Sequence, residues 1–293
     1  MSSPLPPPPA NALPYEPTPE YTPVVGVIHL PALPGTPGYQ ALSVAEIIDQ
    51  ARYDAHLYRE AGLNCLILEN MHDVPYLRGG VGPEIVAMMS VVALAVRSDC
   101  SLPLGVQILA GANQEAVAVA HAAGLEFVRV EGFSYAHVAD EGLLQGCAGE
   151  LLRYRRQIGA DKVQIWADIK KKHASHALTA DVSLGETAAA AEFMRANAVI
   201  VTGNRTGHAA ALADVRAARE SCGLPVFVGS GVTLMNVEEF LPNCDGLIVG
   251  SHFKKDGNWA NPLDPDRLRR FMDRVRELFE QEKSQRTELA ATA

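Results

Sequence analysis

Two short glycine and serine clusters stand where an apolar run gives way to the segment after it. Gly229-Ser230-Gly231 follows "PVFV", and Gly250-Ser251 follows "GLIV". Glycine has no Cβ to block an approaching anion, so backbone N–H groups at such places can face phosphoryl oxygens, and a helix beginning just beyond adds its positive dipole end. The Ser230 hydroxyl is a further donor. Either cluster alone has a plain explanation in tight turn packing, but the pair at consecutive apolar runs points to a shared phosphate-binding site. Nearby, "TGNRTGH" offers Asn204 to read hydroxyls and Arg205 to clamp a phosphate or carboxylate.

Acid and base groups occur in equivalent places. The run "ADIKKKHASH" holds Asp168, which can orient a neighbouring cation, and Lys170, Lys171 and Lys172, any of which can hold an anion or, if desolvated, form a Schiff base. The bland reading of Lys171 and Lys172 is a pair of solvated charges. His173 titrates in the useful range. Glu69, His72 and Asp73 in "ENMHDVPY" suit a general base or hard-metal ligands, and His29 in "IHLP" is a further proton carrier. The candidate catalytic set is therefore Asp168, Lys170, Glu69, His29 and His173. A two-metal hydrolase barrel is expected to carry H-x-H after its first strand; only His29 stands there, which argues against that chemistry. No cofactor is evident, and whether a divalent ion binds among Glu69, Asp168 and His173 is left open.

These residues must be positioned by regular elements. Eight apolar runs, at 24–30, 64–70, 103–109, 126–132, 163–169, 198–204, 225–231 and 245–251, alternate with amphipathic helical patterns. The first helical pattern opens with a capping box of Ser43 and Glu46 and closes at Gly62. Near-continuous apolar strands separated by helices imply parallel pairing with both faces covered, and eight such units in one chain predict a single-domain α/β fold, a (β/α)8 TIM barrel. An open doubly wound sheet is the alternative, but "PALPGTPGY" after the first strand lacks its G-x-G-x-x-G fingerprint. In a barrel, every candidate above lies at the C-terminal ends of the strands.

The chain has 293 residues and a formal net charge of −9, a balance that weighs against nucleic acid as a partner. No apolar run reaches bilayer-crossing length and no targeting segment is recognisable, so cytoplasm is the expected compartment. Five scattered cysteines without a C-x-x-C pair fit reduced thiols. Residues 1–22 form a proline-rich arm read as disordered, 23–280 the barrel and 281–293 a flexible tail. The small residues of "ETAAAAEFM" suit either packing on the barrel or a homo-oligomer contact.

The segments "VVGVIHLPALPGTPGY", "LILENMHDVPY", "ADIKKKHASH", "VIVTGNRTG" and "VFVGSGVT" with "GLIVGSHFKKDGNWANPLD", in this order, resemble the BtpA family from about Val24 to Arg276. The resemblance implies a barrel akin to the ribulose-phosphate-binding group, with the two glycine-serine loops as its phosphate cradle. It also implies two divergent roles. The founding cyanobacterial member is linked to photosystem I accumulation, and another bacterial member lies among sugar-uptake genes. Asp168 and Lys170 are similar to the D-x-K-x-x-D element of decarboxylase barrels, but by analogy only, since His173 replaces the last Asp and the element follows a different strand. The expected function is thus an enzyme acting on a small phosphorylated metabolite, such as a sugar phosphate, by proton transfer or carbon–carbon bond chemistry. The alternative is a non-catalytic assembly or stability factor for a larger complex, as in photosystem I biogenesis.

Overall fold

The structure is a computed structural model that describes residues 22–203 and 205–292. The eight runs become strands β1 (Val24–His29), β2 (Cys65–Glu69), β3 (Leu104–Gln107), β4 (Phe127–Val130), β5 (Gln164–Ile169), β6 (Ala198–Val201), β7 (Val226–Val228) and β8 (Gly246–Val249). Each pairs in parallel with its chain neighbours, and β8 returns to β1 with Leu247 opposite Val24, closing the ring. The fold is therefore a single-domain (β/α)8 barrel, and the open-sheet alternative is excluded. Helices α1 (Val44–Ala61), α2 (Pro83–Asp99), α3 (Asn113–Ala123), α4 (Ala148–Gln157), α5 (Leu184–Phe193), α6 (Leu212–Ser221), α7 (Val237–Phe240) and α8 (Pro265–Thr292) connect and cover the strands. The Ser43 and Glu46 capping box opens α1, and Gly62, at φ 87°, closes it in the left-handed conformation.

Alternate residues of a barrel strand face its axis, and here they form two chemically distinct layers. The lower layer is apolar: Val25, Val27, Cys65, Ile67, Phe127, Trp166, Ala198, Ile200, Phe227 and Ile248 make one buried cluster. Trp166 lies at its centre, stacked on Phe127 at 3.8 Å and on Phe227 at 4.4 Å between ring centroids. Gly105 and Gly246 make room for those rings, since a Cβ at either would collide with Phe127 or Phe227.

Continuing the same alternation one step toward the C-terminal ends gives a polar layer of His29, Glu69, Gln107, Arg129, Asp168 and Thr202, with Glu131 one inward position above Arg129, all buried. His29 pairs in register with Glu69, and Glu69 with Gln107, which sets three polar side chains abreast. Arg129 ties the layer together: its Nε and Nη2 donate to Asp168 at 3.1 to 3.3 Å, and its Nη1 donates to Glu69 Oε1 at 3.3 Å. Glu131 takes a 2.6 Å hydrogen bond from Lys171 Nζ and one of 3.1 Å from Gln107 Nε2.

Three features depart from the sequence-based expectation. After β4, His137–Ala139 and Gly142–Leu144 form a hairpin that pairs with Ala174–Ser175, placing a small antiparallel sheet beside the barrel mouth. The helix after β7 is a single turn beginning at Val237, too short and too far from Gly231 to contribute the anticipated dipole. At the other end, α8 continues to Thr292 rather than stopping near residue 280, because the stretch lacks glycine and proline and consists largely of helix-favouring residues. The expected proline-rich arm falls outside the described residues apart from Thr22. Gly185, Thr187, Ala188 and Ala191 of α5 are buried within the chain, which accounts for that small-residue face through intramolecular packing.

Two variants test the layers. Trp166→Ala should cost about 3–5 kcal/mol of unfolding free energy in urea titration, because it leaves a cavity between two rings. Arg129→Met should cost a similar amount at pH 7, about 3–5 kcal/mol, by leaving Asp168 and Glu69 as unpaired buried charges. Burial already holds both carboxyls above the ordinary range, and without the guanidinium they rise further, so the folded variant holds the protons more tightly than the folded wild type. The deficit should therefore shrink as pH falls from the variant's raised carboxyl pKa values toward those of the wild type, all above the ordinary carboxylate range, and grow as pH rises.

Candidate functional site

The loops at the C-terminal ends of β7, β8, β1 and β2 surround an open cavity of about 120 Å³. His29, Glu69, Arg129 and Lys172 line its inner wall; Gly229, Ser230, Gly231, Gly250 and Ser251 line the side formed by β7 and β8. The two glycine-serine clusters thus meet at one hollow.

Their individual parts are more differentiated than the sequence indicates. The Gly229 N–H donates to Val201 O at 2.8 Å and continues the barrel ladder. The Ser230 hydroxyl accepts from the Gly203 N–H at 2.7 Å and donates to His208 O at 3.0 Å, so it fastens the β7 loop to the β6 loop and is not free to donate to an anion. Gly231 adopts φ 67°, and a Cβ there would collide with the backbone of His208 and Ala209. Packing therefore accounts for glycine at that position. The free donors are amides: the N–H groups of Ser230, Gly231, Val232, Gly250 and Ser251 donate to no group among the described residues. Arg267, from α8, also lines the cavity, held by its Nε donating to His252 O at 2.7 Å.

His29 is fixed as a proton acceptor. Its Nδ1 lies 3.1 Å from Trp259 O, and because a carbonyl only accepts, Nδ1 carries the hydrogen. Burial, reinforced by the Lys254 charge, holds the ring well below the usual histidine range. The neutral ring leaves a lone pair on Nε2, 3.9 Å from Glu69 Oε2. Burial pushes Glu69 above the ordinary carboxylate range despite the opposing pull of Arg129. A raised carboxyl and a lowered imidazole at one wall are chemically suited to giving and taking protons.

The three consecutive lysines diverge. Lys170, at φ 44°, turns its Nζ to Thr179 O at 3.1 Å and lines a smaller neighbouring pocket with Asp168, so it does not face the main cavity as anticipated. Lys171 is buried against Glu131, whose carboxylate holds it above the ordinary lysine range although burial alone would lower it. Lys172 reaches the cavity, while its backbone N–H donates to Thr202 Oγ1 at 3.0 Å. Burial and the adjacent Arg129 charge push its ammonium below the ordinary lysine range, against the attraction of Glu69, Asp168 and Glu131.

Other anticipated residues serve elsewhere. Asp168 sits behind the cavity wall, where burial raises it and the two-pronged Arg129 contact opposes that rise. His173 is exposed and accepts the Thr206 N–H at 3.1 Å, joining the β5 and β6 loops outside the cavity lining. Asp73 is spent on structure, accepting from Leu33 N–H at 2.7 Å and from Asn70 Nδ2 at 2.8 Å. Arg205 is exposed and not among the cavity-lining residues, and Asn204 lies outside the described residues. Among the described residues, no group of three or more His, Cys, Asp or Glu side chains is arranged to hold a metal. Arg129 and Arg267 are functional candidates absent from the sequence-based reading, in which Lys172 stood only as one of three lysines able to hold an anion or form a Schiff base.

Comparison with known proteins extends this description. The BtpA family model matches residues 20–277. An uncharacterized mitochondrial protein of Caenorhabditis elegans is 46% identical over 260 residues, covering 87% of this chain and 93% of that protein. The photosystem I biogenesis protein BtpA of Synechocystis is 31% identical over 274 residues, covering 93% and 94% respectively. Among solved structures, phosphoribosyl anthranilate isomerase from Thermus thermophilus superposes with a TM-score of 0.54 at 16% identity, covering 87% of this chain and 99% of that one. The geranylgeranylglyceryl phosphate synthase of Thermoplasma acidophilum, in complex with its substrate sn-glycerol-1-phosphate, gives 0.55 at 13% identity, covering 88% and 94%. Those two likenesses are of fold, whereas the family match spans nearly the whole barrel and two relatives exceed 30% identity over most of their length: the chain belongs to the BtpA family.

Proposed function

We propose that the barrel mouth binds a small phosphorylated metabolite, of the sugar-phosphate kind, and acts on it by proton transfer or carbon–carbon bond chemistry of the isomerase, aldolase or lyase type. The observation that carries this reading is the convergence of partnerless backbone amides from two consecutive strand ends on the cavity that also holds His29, Glu69 and Lys172. The phosphoryl group sits against the Gly231 and Gly250-Ser251 side, with Arg267 adding positive charge. His29 Nε2 removes a proton and Glu69 delivers one, while Asp168 positions Arg129 and does not itself meet substrate. Two structural neighbours with the same fold are named for phosphorylated compounds, phosphoribosyl anthranilate and sn-glycerol-1-phosphate, which supports the ligand class by analogy.

A scaffold role is the competing reading. It is favoured by the name of the Synechocystis relative, a photosystem I biogenesis protein. Among the described residues no helix is long and apolar enough to cross a membrane, so such a role would work through protein contacts. Cytoplasm remains the compartment proposed for the enzyme, although the Caenorhabditis elegans relative is described as mitochondrial.

Thermal-shift measurements separate the two readings. Inorganic phosphate or a sugar phosphate at 100 times its Kd should add about 2.7 kcal/mol, raising Tm by roughly 5–10 °C for a domain of this size. Ser251→Asp places a carboxylate at the cavity edge and should abolish the shift while leaving the ligand-free Tm within about 2 °C, as expected for a partly exposed position. Absence of a shift with every phosphorylated compound would favour the scaffold.

A further inference from the structure

Four lysines approach the mouth, and three of them are committed. Lys170 donates to Thr179 O at 3.1 Å, Lys171 to Glu131 Oε2 at 2.6 Å, and Lys254 faces Asp54 Oδ2 at 3.5 Å in a buried pair. Each of these ammonium groups has a protein acceptor that stabilises its charged form. Lys172 differs: among the described residues its Nζ has neither a hydrogen bond nor an ion pair, and the side chain lines the cavity beside Arg129. A lysine in such a place is released as a neutral amine more readily than one bound to a carboxylate. His29 Nε2, with its lone pair, lines the same space, and the unpaired amides of Gly231 and Gly250 line another part of it.

We propose that Lys172 forms a covalent imine with an aldehyde or ketone carbon of the phosphorylated ligand, so that the substrate class is a phosphorylated carbonyl compound. The inference rests on the phosphate reading above and narrows it. In the step, the Nζ lone pair attacks the carbonyl carbon and the C–N bond forms as the C–O π bond breaks. The two amine hydrogens leave with the carbonyl oxygen as water, His29 relaying protons, so amine and carbonyl give imine and water with no oxidant or reductant. Taking up one proton, which Glu69 can deliver, the imine becomes an iminium and withdraws electrons from the adjacent carbon, where removal of a proton or cleavage of a carbon–carbon bond becomes accessible.

Pyridoxal 5′-phosphate is a suitable probe because it carries both an aldehyde and a phosphate and absorbs strongly as an imine. The full chain would be incubated with it, reduced with sodium borohydride, digested and mapped by tandem mass spectrometry that resolves Lys170, Lys171 and Lys172. The expected result is one dominant label on Lys172, suppressed at least tenfold by excess inorganic phosphate and at least tenfold weaker with pyridoxal, which lacks the phosphate. Lys172→Arg should remove the label while retaining the thermal shift with inorganic phosphate. Label spread over exposed lysines with Lys172 unmodified, or equal labelling of Lys172 by pyridoxal, would overturn the inference. If phosphate raises the Tm of the wild-type chain but Lys172 escapes reduction, the imine falls and the phosphate reading stands; if neither inorganic phosphate nor any sugar phosphate gives a shift, that reading falls as well.

Discussion

The arrangement at the mouth depends on a guanidinium buried inside the barrel. Arg129 stands one inward position above Phe127 on β4, out of water, and reaches both Asp168 and Glu69. Burying these charges separately would cost several kcal/mol each, so they persist only as a mutually paired set. Arginine suits the place because its planar fork can serve two carboxylates at once, which the single ammonium of a lysine does less well. The consequence is electrostatic: Arg129 and Lys171 offset the carboxylates of Glu69, Asp168 and Glu131 to within one charge. The cavity wall thus avoids the excess negative charge that would repel an anion.

The loops above that layer are fixed by hydrogen bonds that cross from one strand end to the next. Thr202 accepts from Lys172 N–H, Ser230 bridges Gly203 and His208, and Asn70 with Asp73 joins Leu109 and Leu33. Side chains are used to hold the loops, which frees backbone amides at Gly231, Gly250 and Ser251 for a ligand. Such rigidity lowers the ordering cost of binding, since the donors are already in place. Phosphate affinity in this account comes from prearranged amides and the Arg267 charge, not from a long helix dipole.

The barrel was legible in the sequence because eight apolar runs separated by helical patterns have few other closed solutions. The convergence of Gly231 and Gly250 followed from strand order alone. Period-two alternation in "EFVRVEG" puts Arg129 on the same face as Phe127 and Glu131, so its inward position is legible too, although a charge in mid-strand carries no strand-end signal of a site. The choice between Lys170 and Lys172 was not legible. It depends on positive φ values at Lys170 and His173, a non-glycine conformation that local sequence does not announce. Arg267 enters from the last helix, and only tertiary packing brings it to the mouth. Ser230 was expected to offer its hydroxyl to a phosphate; it lines the cavity, but the hydroxyl is committed to neighbouring backbone, a detail set by the approach of the β6 loop.

The most direct test is a crystal structure of the protein grown with sn-glycerol 1-phosphate or inorganic phosphate. The account predicts phosphoryl density between the ends of β7 and β8, with oxygens about 2.7–3.2 Å from the amides of Gly231 and of Gly250 or Ser251. An anion bound only at the exposed Arg205 loop, with the mouth occupied by water and those amides turned away from it, would contradict the account.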